Sequence, residues 1–268
     1  EYQSPVQAYL LGKRCLKWET LALFRVAEKP PGERGPLNGR TAHGWTIYFP
    51  YMKDNGKEAT MKEYPHIDTV WKRNERGAIQ EDQFSRPEFA YLAGNRWIGT
   101  EKVDGTNIRV MWDGADSVTF GGKTDNAQIP SFLVKRLMEI FLPQSDVFRQ
   151  KFGGTPACLY GEGYGAKIQK GGGNYKADGV DFALFDARVA DWWLKRESLE
   201  DIAAAFSIGL VPEVFTGTLL EACAFAATGY HSTWGEFTAE GLVLKPGVDL
   251  VCRDGDRVIT KIKHRDYH

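Results

Sequence analysis

The chain has little that would place it in a membrane, outside the cell or around a metal cluster. No stretch approaches the roughly 20 apolar residues that a membrane helix needs, and no secretory apolar segment opens it. Its 268 residues hold only four cysteines, Cys15, Cys158, Cys223 and Cys252, and none forms a C-x-x-C pair. That argues against a zinc knuckle or a thioredoxin-type site and suits a reducing compartment, so a cytoplasmic protein is expected. Histidine is also scarce, and His66, His231 and His264 fall at no metal-ligand spacing. Charge of one sign is not in excess: 34 Lys and Arg stand against 35 Asp and Glu, for a net charge of −1. Any surface for a polyanion must therefore be local. There is no internal repeat.

What is present is an ordinary globular composition, 43% apolar and 26% charged, long enough for a sizeable core. Residues 30–44 (PPGERGPLNGRTAHG) read as a loop or linker, and Trp18 to Ala27 before them as one strand or helix. Residues 1–60 are expected to be an extension or accessory module, and residues 61–268 the main domain. From about residue 97 strands alternate with short helices. Asn107 to Trp112 puts Ile108, Val110 and Trp112 on one face. Pro130-Ser131 opens a helix with Leu133, Leu137, Ile140 and Phe141 along one stripe. Leu159–Glu162, Phe182–Phe185, Leu242–Lys245 and Val258–Lys263 are predicted strands, and Glu197–Phe206 and Leu219–Ala227 predicted helices. The order lacks the regular alternation of a doubly wound fold, so an α+β domain on antiparallel sheets is expected.

Five short segments carry chemistry, and each taken alone has a plain structural explanation. In TEKVDGTN (Thr100 to Asn107), Lys102 and Asp104 share a face at a strand end, and Gly105 allows a ligand to approach. The plain alternative is a surface pair before a turn. In YGEGYG (Tyr160 to Gly165), Glu162 stands between glycines, where a carboxylate can reach a sugar hydroxyl or merely decorate a turn. In DFALFDARV (Asp181 to Val189), Phe185 could stack on a base, though a Phe beside Leu184 is more often core. In FTAEGLVLKP (Phe237 to Pro246), Glu240 and Lys245 have opposite parity, so both face one pocket only if Gly241 forms a bulge or the strand starts after it. In VITKIK (Val258 to Lys263), Lys261 and Lys263 share a face while Ile259 and Ile262 serve the core. Two ammoniums held side by side call for an anion between them, a phosphate first of all. The alternative is an edge strand guarded by lysines.

Their order is more specific than any one of them. Lys-x-Asp-Gly, Glu-Gly, Phe-Asp, Glu-Gly-x-x-x-Lys and Lys-x-Lys resemble the five core motifs of the covalent nucleotidyltransferases, the superfamily of ATP-dependent DNA ligases, RNA ligases and capping enzymes. The local wording of EKVDGTN, of Val118 to Pro130, of GEGYGAKIQK, FDARV, FTAEGLVLKP and GDRVITKIK is most similar to the RNA ligase 2 family, over roughly residues 97–264. The resemblance implies a nucleotidyltransferase domain with antiparallel sheets flanking an ATP pocket. It implies that Lys102 attacks the α-phosphate of ATP with Mg²⁺ or Mn²⁺ present and forms lysyl-AMP. The AMP then moves to an RNA 5′-phosphate and is displaced by a 3′-hydroxyl. By the same resemblance Glu101 contacts the adenine amino group, Glu162 holds the ribose, Phe185 stacks on adenine and Glu240 helps bind the metal. Lys261 and Lys263 hold the α-phosphate with Lys245 assisting, and Asn107 and Lys123 belong to the nucleotide site.

Two departures from the family pattern stand out. Lys123 takes a place where the family has arginine, and lysine cannot make arginine's bidentate fork to phosphate. Only five residues follow Lys263, so neither an OB-type nor a helical C-terminal domain is expected, and strand sealing rather than self-adenylylation would feel the lack. Residues 1–95 could compensate as an N-terminal nucleic-acid module, as in some RNA ligases. Other classes fit less well. Gly122-Lys123-Thr124 would end a P-loop, but Ser117 stands where the first glycine belongs. Gly161, Gly163 and Gly165 are too regular for a dinucleotide fingerprint. A non-enzymatic RNA-binding protein explains Trp71-Lys72-Arg73 and Lys195-Arg196 but not the ordered lysines and acids.

Overall fold

The computed structural model describes residues 63–268. The expectations for residues 1–60, including the element at Trp18 to Ala27, lie outside the described residues. Along the chain come β1 (Asp68–Thr69), β2 (Trp71–Arg73), β3 (Ile79–Phe84), α1 (Pro87–Tyr91), β4 (Trp97–Glu101), β5 (Thr106–Trp112) and β6 (Val118–Gly121). Next are α2 (Ser131–Phe141), α3 (Ser145–Phe152), β7 (Ala157–Gly165), α4 (Gly172–Tyr175), β8 (Val180–Val189), β9 (Trp192–Trp193), α5 (Arg196–Phe206) and β10 (Gly209–Leu210). The chain closes with β11 (Glu213–Gly217), α6 (Leu219–Thr228), β12 (Gly241–Pro246) and β13 (Thr260–Lys263).

Two sheets carry the fold. One has the order β1-β13-β12-β4-β11; the other has β10-β8-β7-β5-β6, with β9 paired to β8. Apart from the short pairs β1–β13 and β10–β8, which are parallel, every neighbour in them is antiparallel. The α+β expectation therefore holds. Strand alternation decides what each sheet buries. In β5 the predicted face of Ile108, Val110 and Trp112 is fully buried against Leu133, Leu137 and Phe141 of α2, with Phe148 of α3 and Phe206 of α5. Each such side chain contributes about 1.5–3 kcal/mol by leaving water. On the first sheet Trp97, Leu242, Leu244 and Ile262 pack on Phe89 of α1 and on Leu219, Ala222 and Cys223 of α6. The faces left over turn toward each other, where Val243 and Ile259 meet Cys158, Tyr160 and Phe185.

Residues 63–95 belong to this body and so cannot be part of a separate N-terminal module. Tyr64 lies between the sheets, β1 extends the first sheet, and Trp71 and Phe84 of the β2–β3 hairpin join the core under α6. At Lys261 β13 is not an open edge either, because β1 pairs with it there on one side and β12 on the other. Among the described residues no helix is long and apolar enough to cross a membrane.

Candidate active site

Between the sheets opens a cavity of about 680 Å³, lined among others by Thr100, Lys102, Asn107, Glu162, Phe185, Val243, Lys245 and Lys261. That is the size of a small-molecule site. Lys102 follows the last residue of β4, and its Nζ donates to Glu240 Oε2 at 2.6 Å. The other oxygen of Glu240 pairs with Lys263 Nζ at 2.8 Å. The parity question at Glu240 is thereby answered. Strand β12 starts at Gly241, so Glu240 lies outside the alternation and can turn to the lysines while Lys245 faces the cavity. Gly241 is required there by close approach: it has φ +152°, and a Cβ would stand 2.0 Å from the Ile262 carbonyl oxygen.

Glu162 reaches the same centre from β7. It packs under Gly105, where a Cβ would meet the Gly163 carbonyl oxygen at 2.4 Å and Glu162 Cγ at 2.6 Å. The glycine of the lysine motif is thus a packing requirement as well as a turn. Burial raises the Glu162 pKa to about 8; Lys102 opposes that, while Glu240 and Asp104 add to it. Asp104 is raised too, by burial and then by Glu240. Lys261 is lowered by burial and by the neighbouring Lys102, Lys263 and Lys123. Its ammonium stands in no hydrogen bond or ion pair among the described residues. Of the two cations expected to flank an anion, Lys263 takes the Glu240 carboxylate and Lys261 waits unpaired.

The raised Glu162 carboxyl has a consequence for stability. Between the ordinary carboxylate pKa and about 8 the folded chain holds a proton that the unfolded chain has lost. Stability then falls as pH climbs through that window, and the cost is complete above it. Glu162→Gln removes the charge that burial penalises, a term of about 5 kcal/mol. Thermal unfolding of the ligand-free protein should show little gain for the variant near pH 5 and a gain of roughly 10 to 20 °C above pH 8. Equal gains at both pH values would mean that the carboxyl is not raised.

Asn107 lines the cavity with a buried Oδ1 that has no hydrogen-bond partner among the described residues. Such an atom is costly unless a ligand donates to it. Phe185 and Val243 come from opposite sheets into one cluster, which gives the cavity an aromatic wall and an apolar wall. Phe185 gets there through a bulge: Tyr160 pairs with Asp186 and Gly161 with Leu184, so both Phe185 and Asp186 turn inward. Lys123 also lines the cavity and is exposed. Its loop is pinned from below by Arg109, whose Nε donates to the Gly122 carbonyl oxygen at 2.8 Å and whose Nη2 donates to Asp125 Oδ1 at 2.7 Å.

Glu101 is placed differently from the rest. Its carboxylate is 1% exposed and accepts from Ser232 Oγ at 2.6 Å and from the Thr233 amide and hydroxyl, both at 3.0 Å. A carboxylate offers about four acceptor positions. Three are taken, so an adenine amino group would have to use the remaining one. Asp186, to which the sequence analysis gave no role, is completely buried between the sheets and accepts from Tyr64 Oη (2.8 Å), Lys245 Nζ (2.8 Å) and Arg257 Nη1 (2.6 Å). Burial raises its pKa, but Lys245 and Arg257 outweigh that and leave it low. Arg257 also lies 4.3 Å over the Trp193 ring. The signal that could have pointed to Asp186 was its place in the Phe-Asp motif; for Ser232, Thr233 and Arg257 the sequence offered none.

With this geometry in view, comparison with known proteins settles the family. A sequence model described as RNA ligase matches residues 95–263. The chain belongs to the RNA ligase family. No curated protein matches it significantly. Among solved structures it is similar to a Naegleria gruberi RNA ligase. An arginine-to-alanine mutant of that ligase with ATP and Mn superposes with a TM-score of 0.56 at 20% identity, covering 78% of this chain and 58% of that one. The same ligase with PPi gives 0.53 at 21% identity, covering 83% and 63%. A glutamate-to-alanine mutant with ATP and Mn gives 0.53 at 19% identity, covering 77% and 59%. At these identities the likeness is one of fold, and this chain spans less than two thirds of that RNA ligase's length. The match begins just before β4 and ends on Lys263, and Tyr64, Pro65 and Ile67 add to the cavity wall from outside it.

Proposed function

We propose that the chain is an ATP-dependent RNA ligase that joins 3′-hydroxyl and 5′-phosphate RNA ends through AMP carried on Lys102. One observation carries the reading. Lys102 stands at the wall of a nucleotide-sized cavity with Glu240 on its amine, Lys261 and Lys263 beside it, and the orphan oxygen of Asn107 among the lining groups. The walls suit ATP: Phe185 and Val243 can enclose a flat base, Glu162 can meet the ribose, and the lysines can meet the α-phosphate. The adenylylating unit in this reading runs over residues 61–268, in a cytoplasmic protein.

Among the described residues no three His, Cys, Asp or Glu side chains gather into a metal cage. That donor set still fits magnesium or manganese, because such ions take one or two carboxylates and complete their shell with water and substrate phosphates. Glu240 is the carboxylate that would hold the ion, which would spread the negative charge of the phosphates.

The steps follow from the residues present. Lys102 must be a free amine to attack, so its proton leaves to solvent first, and Glu240, 2.6 Å away, fixes where the nitrogen stands. The nitrogen bonds to the α-phosphorus as the bond to the bridging oxygen of pyrophosphate breaks. Charge on the equatorial oxygens is met by Lys261 and Lys263, already in place and half-buried. An RNA 5′-phosphate oxygen next displaces the amine from phosphorus. The 3′-hydroxyl then attacks the 5′-phosphorus and AMP leaves.

The test is transfer of label from ATP marked at the α-phosphate to denatured protein, beside GTP marked in the same way, followed by sealing of nicked or single-stranded RNA and of the DNA equivalents. Label from ATP and sealed RNA are expected. Label from GTP alone would mean a capping-type enzyme, sealed DNA alone a DNA ligase, and no label with RNA still bound a binding protein built on this fold.

A further inference from the structure

A second groove, of about 550 Å³, runs between the exposed side of α2 and the segment from Ala166 to Val180. Phe132, Lys135, Arg136, Lys167 and Lys176 line it, against one lining acid, Glu139. In a chain of net charge −1 this is a local cationic surface. Part of that charge is already engaged. Arg136 pairs with Asp181 at 3.3 Å and with Glu139 at 3.8 Å, and Lys176 pairs with Asp181 at 2.9 Å. Lys135 and Lys167 are exposed, and their ammoniums stand in no ion pair or hydrogen bond among the described residues. Phe132, at the first turn of α2, keeps 41% of its surface in solvent.

Two further features separate this groove from a merely solvated face. Lys167 has φ +69°, a left-handed conformation that side chains bearing a Cβ disfavour, and such outliers gather where function holds them. The segment that carries Lys167 also touches the reactive centre. Gln169 Nε2 donates to the Gly105 carbonyl oxygen at 3.1 Å, and a Cβ at Gly171 would stand 3.6 Å from Asp104 Oδ2. A chain lying in the groove is thus one loop away from the turn that follows Lys102.

We infer that this groove holds the sugar-phosphate backbone of the RNA, with Lys135 and Lys167 on phosphates and Phe132 under a base, and leads the strand end to Lys102. The inference rests on the ligase reading of the site. Phosphates supply the charge that the two unpaired lysines lack, and a half-exposed ring beside them is the pairing used for single strands.

The experiment titrates full-length protein with a 5′-phosphorylated single-stranded RNA, read by fluorescence anisotropy across a salt series. For Lys135→Gln with Lys167→Gln, binding should weaken by roughly tenfold or more at low salt, and the slope of log affinity against log salt should shrink by about 1.4. Phe132→Ala should weaken binding by about tenfold with the slope unchanged. Arg76→Gln with Arg253→Gln, two exposed arginines outside the groove, removes the same charge and should leave binding within about twofold. Equal loss in both pairs would make the effect one of net charge and overturn the inference, as would an unchanged groove pair. Polyglutamate that competes as well as RNA would overturn it in favour of an acidic peptide. Label from ATP reports folding in every variant; if the groove pair fails there, Lys167→Gln alone decides, with half the slope change expected. A wild type that takes no label would sink the ligase reading and leave the binding comparison to judge the groove by itself.

Discussion

Lys102→Ala should carry no label from ATP marked at the α-phosphate, a loss of at least about 10⁴-fold in the covalent step. Alanine offers no atom that can bond to phosphorus. Lys102→Arg should fail as completely, because a guanidinium does not give up its proton in a protein. The loss should be chemical rather than structural. Lys102 keeps 21% of its side chain exposed, and removing it leaves Glu240 still paired with Lys263 at 2.8 Å. The melting temperature of the alanine variant should therefore stay within a few degrees of the wild type. RNA supplied already adenylylated at its 5′-phosphate should still be joined by Lys102→Ala, since that step needs no lysine–phosphorus bond. Label that survives denaturation of the alanine variant would place the nucleophile elsewhere; a collapse in melting temperature would make the loss uninformative about chemistry, and Lys102→Arg would then carry the comparison.

The elements that the sequence reveals are those where a period meets a core. Ile108, Val110 and Trp112 alternate because one face of β5 is buried, and Leu133, Leu137 and Phe141 repeat at helical spacing because α2 lies on that face. Helices α5 and α6 fall within a residue of their predicted limits. Boundaries fail where burial is two-sided. Strands β7 and β8 run past Leu159–Glu162 and Phe182–Phe185 because their ends continue to pair with each other. Val258 and Ile259 are buried but precede β13, since burial alone does not make a ladder. The site was legible as an order of charged residues, yet its wiring was not. Ser232 reaches Glu101 across 131 positions and Arg257 reaches Asp186 across 71. The bulge that turns Phe185 and Asp186 inward together has no local signature, because it depends on how β7 pairs with β8. Gly241 is the contrary case: the opposite parity of Glu240 and Lys245 marked it as the place where the alternation must break if both serve one pocket, and β12 starts there.

Asp186→Asn should be the most destabilising single change in the space between the sheets. The carboxylate joins Lys245 of the first sheet, Arg257 from the loop before β13 and Tyr64 from the segment before β1, and it sits on the second sheet with no exposure at all. An amide of the same shape keeps the volume but leaves Lys245 without its counter-charge and Arg257 with Asp249 alone, at 3.2 Å. Removing one partner from a buried ionic cluster costs about 3 to 5 kcal/mol, which lowers the melting temperature by roughly 6 to 20 °C for a domain of this size. The penalty should depend on pH in a defined direction. Asp186 is held below the usual carboxylate range by Lys245 and Arg257 against the pull of burial. Its contribution is therefore present above the ordinary carboxylate pKa and disappears as pH falls through the depressed folded value. Melting curves of the two proteins should lie far apart at pH 7 and draw together in strong acid, and a constant gap would mean that packing rather than charge holds the sheets. The same clamp bears on function. Phe185 precedes Asp186 in the bulge, and Val243 lies two residues before Lys245 on β12. The ion pair thus spaces the two walls that would enclose the base, so ATP binding should fall with stability in Asp186→Asn even at temperatures where the variant remains folded.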